Sequence, residues 1–450
     1  MRRVRIGNGC GFWGDNVDAP VLLARDGRLD YLTLEYLAEL TMSILALQKQ
    51  RDPQAGFATD FLDVLERLVP AMKVQPGLKI VTNAGGMNPA ACAGRAREIL
   101  AKAGLSQRSV AVVSGDDLMP RLDALLAEGQ ALANLDTGEP LTAVRERVVS
   151  ANAYLGARPI ADALRLGAAV VVTGRVADAS LTLGPAAHAL GWQWDDWDRL
   201  SAGTVAGHLI ECGAQATGGL WCNWPEAPDL ANVGYPIAEI DEDGDFCLTK
   251  PEGSGGAVNC ETAAEQLLYE VGDPAAYLTP DVTADFTSVT IATAGKDAVE
   301  VRGARGKPAT DSYKVSIAYR DGFTASGMLV VAGPDAEWKA RFCGNAILER
   351  LRRAGVEVQF SNVECLGAGA CVPGVVTAAA PPPEVVLRVS VRDPRRSAVE
   401  RFTKEFAPLV TSGPPGVTGY TTGRPPVREV FAYWPALIAK SAVTPDVRLV

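Results

Sequence analysis

Only two histidines, His188 and His208, occur in the 450 residues. Nucleophilic hydrolysis by a Ser-His-Asp or Cys-His set would have to use one of them, and no G-x-S-x-G elbow is present. Acid–base work therefore falls mostly to carboxylates, Lys, Tyr or Cys. His208 and Glu211 lie in GHLIECGAQATGG. At i,i+3 they share a helical face, and the Gly-rich loop that follows lets a substrate approach Glu211, with Gln215 beside it. The same segment reads equally as a helix end packed in the core, with Cys212 as a small hydrophobe. As a metal motif it is weak. His188 falls inside a helical pattern and reads as structural.

Four further loops could do chemistry. GNGCGFWGD contains G-x-G-x-x-G at Gly9, Gly11 and Gly14, with Glu35 about 20 residues on, which is the spacing of a dinucleotide fingerprint. Asp15 and Asp18 stand where a diphosphate would sit, which disfavours that ligand. A tight strand-to-helix turn, or a substrate loop with Gly11 and the base Asp15, fits as well. In NAGGMN, Asn83 could hold a carbonyl, and the bare N–H groups of Gly85 and Gly86 precede a helix start at Pro89; Asn88 also suits an N-cap. In GRVAD, Arg175 could clamp a carboxylate or phosphate, or pair with Asp178 to tie down a helix start. In KPEGSGG, Lys250, Ser254, Gly255 and Gly256 precede a helix and could cradle an anion. A flexible loop is the other reading, since this is not a Walker A sequence.

The elements that carry these loops repeat one order: apolar strand, Gly-bearing loop, helix. The strands run Val4–Ile6, Tyr31–Leu34, Lys79–Thr82, Ser109–Val113 and Ala168–Thr173. Helices follow from about Pro89 to Ala103, to Ala127 and to Leu190, and that alternation predicts a parallel sheet. GWQWDDWDRL, with three Trp, reads as a surface or interface excursion leading to a helix near Val205–Cys212. After about residue 280 the chain turns β-rich, with helices near Glu337–Ala354 and Ser397–Phe406. Ala378–Glu384 (AAAPPPE) reads as a stiff connector. The expected fold is α/β: an N-terminal domain over 1–280 with a mostly parallel sheet and Gly-rich βα loops, then a smaller α+β domain over 281–450.

A net charge of −10 without Lys/Arg runs argues against nucleic acid and anionic membranes as partners. The start, MRRVRIGNGC, has no apolar core of a signal peptide, and no stretch approaches the roughly 20 apolar residues of a membrane span. Nine cysteines without CxxC pairing point to reduced thiols and a cytoplasmic location.

Taken together, the loops resemble the AtuA (acyclic terpene utilisation) family. The segments that carry the resemblance are GNGCGFWGD, DYLTLEYLAELTM (30–42), KIVTNAGGMNP (79–89), NAYLGARPIADAL (152–164), VVTGRVADASLTLGP (171–185), GHLIECGAQATGG (207–219), TKPEGSGGAV (249–258), QLLYEVGDPAAYLTPDV (266–282) and GYTTGRPPVREVFAYWP (419–435). They keep one order along nearly the whole chain. The resemblance implies a setting in which branched terpenoid and related acids are degraded as CoA thioesters. It also implies a small partner protein in place of an extra domain that many members carry, and it carries over no residue roles.

The expectation is an enzyme acting on an acyl-CoA or branched carboxylic substrate by hydration, dehydration or other α-proton chemistry. Asp15, Glu211 and Asp178 are the catalytic candidates. Gly11, Asn83, Gly85, Gly86, Arg175, Gln215, Lys250, Ser254, Gly255 and Gly256 are the substrate-binding ones. The residues single out no particular cofactor and no metal ligand; a CoA thioester would be substrate, and the chain would form a homo-oligomer. The alternatives are a non-catalytic ligand-binding or scaffold subunit that needs the small partner, and a metal-dependent lyase or hydrolase using His208 and Glu211.

Overall fold

A computed structural model describes residues 2–375, 380–419 and 423–450. The strands are β1 (Arg3–Asn8), β2 (Tyr31–Leu34), β3 (Lys79–Thr82), β4 (Val110–Ser114), β5 (Val148–Ala153), β6 (Val170–Thr173), β7 (Ile237–Asp241), β8 (Phe246–Thr249) and β9 (Tyr277–Leu278). They continue as β10 (Thr283–Asp285), β11 (Thr290–Gly295), β12 (Ala298–Arg302), β13 (Arg305–Lys307), β14 (Ser312–Ala332), β15 (Phe360–Leu366), β16 (Glu384–Asp393), β17 (Arg428–Ala439) and β18 (Asp446–Leu449). The chain divides into two compact units, residues 1–318 with 433–450, and residues 319–432.

The first unit is built on one ten-stranded sheet in the order β11-β12-β8-β7-β1-β2-β3-β6-β4-β18. Its centre, β1-β2-β3-β6-β4, is parallel. On one side β7, β8, β12 and β11 run antiparallel, and on the other β18 runs antiparallel to β4. The sheet is thus mixed, not mostly parallel. The alternation of strand and helix marks only the central strands, because antiparallel neighbours need no crossover helix. The expected division at residue 280 also differs from this grouping, since β11 and β12 hydrogen-bond into the large sheet and β18 closes its far edge. β6 lies between β3 and β4, so the chain passes over that position once and returns to fill it.

The central strands are buried along their length, as parallel strands covered on both faces must be. Helices Asp60–Val74 and Pro89–Lys102 lay Phe61, Leu65, Leu68, Cys92 and Ala96 onto Leu32, Ile80 and Val172. Asn88 caps the second of these, its side chain accepting from the Ala91 N–H at 3.4 Å. The helix expected near Val205–Cys212 begins earlier, at Trp197, because Asp196 supplies an N-cap bonded to the Arg199 N–H.

In the second unit β14, β16 and β15 pair antiparallel, and helix Ala336–Arg353 packs Ala340, Cys343, Ile347 and Leu351 against Leu329, Leu387 and Val389. Of the expected connector, Ala378 and Ala379 lie outside the described residues, as do Tyr420–Thr422 of the last quoted segment. Among the described residues, no helix is long and apolar enough to cross a membrane.

Candidate functional site

The first glycine loop is filled by protein. A Cβ at Gly9 would lie 2.8 Å from the Pro20 Cα, and one at Gly11 would lie 2.7 Å from the Cys212 carbonyl carbon. These glycines permit close chain crossings, and the helix opening at Ala19–Pro20 carries no exposed Gly-rich N-terminus for a diphosphate. Asp15 is spoken for as well. Its Oδ2 accepts from the Gly11 N–H at 2.8 Å, and its Oδ1 accepts from the Asn16 N–H at 2.7 Å and the Tyr235 hydroxyl at 2.5 Å.

The polar groups that remain gather beyond the carboxyl ends of β2, β3 and β6, where ligands of open α/β sheets collect. Glu35 ends β2, Asn83 ends β3, and Arg175 and Asp178 follow β6. Asn83 cross-links two of these loops, because its Oδ1 accepts from the Tyr36 N–H at 2.8 Å and its amide donates to Glu35 Oε1. Glu35 Oε1 also accepts from the Leu37 N–H at 2.9 Å. Arg175 is 1% exposed. Its Nη1 donates to the Leu37 carbonyl at 2.9 Å, and lies 2.9 Å from Asp178 Oδ1 and 3.9 Å from Glu35 Oε1. Its guanidinium carbon sits 4.3 Å above the Tyr154 ring. The Tyr154 hydroxyl donates to Glu39 Oε1 at 2.6 Å, and the Lys314 ammonium lies 3.5 Å from the same oxygen.

A second group adjoins it. His208 Nδ1 and Glu211 Oε1 are 3.0 Å apart on the last turn of helix Trp197–Glu211, with His208 packed against Tyr277 and Phe286. Burial pushes the Asp178 and Glu211 carboxyls up; Arg175 opposes this at Asp178, His208 opposes it at Glu211, and the Asp178 charge adds to the rise at Glu211. Burial, then the Asp178 charge, drives Glu35 well above the usual carboxylate range against the pull of Arg175. Burial opposes charge on His208, yet Glu211 raises it. The two groups therefore lie within electrostatic reach of each other, coupled through the Asp178 charge. Asp178 keeps 39% of its side chain exposed, which gives the cluster its contact with solvent. Within it Glu35 Oε2, Arg175 Nε, His208 Nε2 and Glu211 Oε2 are buried without a hydrogen-bond partner, and buried Asp178 Oδ1 has its ion pair with Arg175 alone.

The family model described as acyclic terpene utilisation family protein AtuA matches residues 4–449. The chain belongs to the AtuA family. No curated protein and no solved structure matches it.

In this AtuA-family chain the sequence-chosen residues part company. Asn83, Arg175, Asp178 and Glu211 come together. Asp15 lies behind them as a loop anchor. Gly85 and Gly86 are packing positions: a Cβ at Gly85 would lie 2.4 Å from the Thr173 carbonyl oxygen, and Gly86, at φ +48°, faces Leu45. The KPEGSGG loop closes on itself. The Lys250 ammonium donates to the Ser254 carbonyl at 2.8 Å and pairs with Asp297 at 3.3 Å. The Ser254 hydroxyl donates to the Pro251 carbonyl at 2.6 Å. Cβ atoms at Gly255 and Gly256 would strike the Asp229 and Thr217 carbonyl oxygens. Gln215 is half-buried on the 3₁₀ turn Gly213–Thr217.

Sequence reasoning missed Tyr154, Glu39, Lys314, Asp116 and Asn152, and took Glu35 only as part of a dinucleotide fingerprint. One signal was available, since Asn152–Tyr154 ends an apolar strand as the other chosen loops do. Asp116 is 2% exposed, and its Oδ2 accepts from the Arg175 N–H and the Asn152 amide, both at 2.8 Å. Burial raises its carboxyl to about 6 against those bonds. A carboxyl whose folded pKa is raised costs stability once ionised, and the cost grows between the unfolded and folded values. Asp116→Asn keeps an oxygen for both donors. It is expected to gain on the wild type as pH rises from about 4 to 7, by up to about 3 kcal/mol. Urea midpoints across that range test this, and a constant gap would refute it.

Proposed function

We propose that this AtuA-family protein is an acid–base enzyme acting on an acyl thioester or branched carboxylic substrate, adding or removing water across the α,β-carbons. The observation that carries the reading is the set of buried polar atoms of Glu35, Arg175, His208 and Glu211 without hydrogen-bond partners, near Asp178, the carboxylate that reaches solvent and pairs with Arg175. Buried polar groups left open cost stability, and they persist where they serve a ligand. The family supplies the class of substrate; the residues supply the chemistry.

In the dehydration direction Glu211, its carboxylate favoured by His208, takes the α-proton, and the C–H electrons form the new double bond. Asp178, whose carboxyl burial pushes up against the pull of Arg175, is the acid in this direction: it gives its proton to the departing β-hydroxyl, which leaves as water. Arg175 faces the negative charge that builds on the acyl oxygen. Hydration runs the same steps backwards, so one carboxyl must start protonated and the other ionised.

The test is incubation of the full chain with saturated, unsaturated and β-hydroxylated branched acyl-CoA thioesters in D2O, followed by mass spectrometry. The expected result is a water-sized mass change, or deuterium at the α-carbon, for at least one member. Folded protein that changes none of them refutes the reading.

A further inference from the structure

The ten-stranded sheet ends on two strands, β18 and β11, and its two edges differ. β18 has four residues and carries Asp446 and Arg448, charges of the kind that keep other strands off an edge. β11 (TIATAG) has six residues, with no charge and no proline. Five of the six are exposed and Ile291 is half-buried, so neither helix nor loop covers this edge. Helix Cys260–Leu268 lies on one face of the strand, where Cys260 Sγ is 3.4 Å from the Thr293 hydroxyl.

In an antiparallel ladder every second residue turns its N–H and C=O away from the neighbouring strand. β12 holds one side of β11, with Ile291 opposite Val301 and Ala292 opposite Glu300. The ladder is regular from Thr290 to Thr293 and shifts only beyond it. Among the described residues, no backbone group of Thr290–Gly295 bonds to any other element. Outward donors and acceptors in such a row are completed by another β-strand. A foreign peptide would be selected by pockets for its side chains, and Ala, Thr and Gly build none. A copy of β11 needs no pocket, and its small, uncharged side chains meet their like without repulsion. The charges nearby are already matched: Glu300 pairs with Arg302 on β12, and Asp297 in the hairpin turn pairs with Lys250. Lys296 is left, at one end of the strand. Antiparallel pairing would hold the two copies' Lys296 more than about 20 Å apart, whereas parallel pairing would set them side by side.

We propose that β11 is the contact surface of a two-fold dimer of this chain, in which β11 of each copy pairs antiparallel with β11 of the other. The two large sheets then run on as one. A two-fold contact uses up the edge in both copies, so assembly closes at two chains instead of growing into a filament. It takes no group from the acid–base cluster at the ends of β2, β3 and β6, and the inference does not rest on that reading. One strand pair is at the small end of specific interfaces, and a dissociation constant in the micromolar range is expected.

Sedimentation equilibrium of the full chain from about 0.5 to about 100 µM tests the dimer. The mass is expected to rise from that of one chain toward that of two. Amide hydrogen exchange over the same range should show residues 290–295 protected only at high concentration. Ala292→Lys places like charges across the two-fold axis and should raise the dissociation constant at least about tenfold, as should Ala292→Glu. An equimolar mixture of the two variants should pair again, which separates a blocked surface from a misfolded chain. A single-chain mass at every concentration overturns the proposal. So does a dimer that Ala292→Lys leaves intact, one in which residues 290–295 exchange as fast as in the monomer, or a mixture that pairs no more tightly than either variant alone.

Discussion

Asp178→Asn and Glu211→Gln are each expected to lower turnover of a thioester found by the substrate panel about 10²- to 10⁴-fold, the usual range for loss of a positioned acid or base. The loss should fall on kcat more than on KM, since both groups act on protons in flight rather than on the bound acyl chain. The double variant should be little worse than either single one, because a dehydration with only one of its two proton-transfer groups is already stalled. Both side chains keep their size; the Glu211→Gln urea midpoint should stay near the wild type, because burial already pushes that carboxyl up, while the Asp178→Asn midpoint should fall, because Arg175 loses the charge 2.9 Å away. Turnover preserved in both variants would remove these residues from the mechanism.

The second large effect concerns stability. Arg175→Met is expected to cost about 3–5 kcal/mol, the range for removing one partner of a buried charge group. Arg175 is the only cation within 4 Å of Glu35 among the described residues, and it also pairs with Asp178 and donates to the Leu37 carbonyl. Without it, the buried Glu35, the partly exposed Asp178 and the Leu37 carbonyl lose their shared partner. Arg175→Lys should fall between, since an ammonium keeps the charge but neither the fork that reaches several acceptors nor the plane that stacks on Tyr154. Urea denaturation at pH 7 measures this, and a midpoint unchanged by Arg175→Met would show that the cluster does not lean on its arginine.

Much of the cluster was legible in the residues because it lies at strand ends. Asn83 stands directly after KIVT, Arg175 and Asp178 stand within five residues of the end of VVVT, and a parallel sheet brings such positions to one edge whatever the strand order. His208 and Glu211 were legible for the same kind of reason, a fixed helical spacing. The anion cradles misled because glycine serves two purposes that a sequence does not separate. It bares backbone N–H groups to a ligand, and it lets one chain cross close over another. At Gly11, Gly85, Gly255 and Gly256 the second use holds. Lys250 misled because its partner, Asp297, is distant in the chain. The antiparallel flanks of the sheet were hidden because β7–β8 and β11–β12 are short hairpins closed by tight turns, with no helix inside either to mark them.

The place of β18 has a consequence for synthesis. β18 pairs with β4 at the edge of the large sheet, and the whole second unit, residues 319–432, is made between them. A ribosome that has finished β1 to β6 has therefore made a sheet whose β4 edge stays open until residues 446–449 emerge. Open strand edges invite pairing with other chains, and contacts so far apart in sequence form slowly. The nascent first unit is in this sense a waiting intermediate, exposed for as long as its insert takes to be translated. Slowing translation beyond residue 114 lengthens that exposure, while the finished chain closes the edge with its own tail.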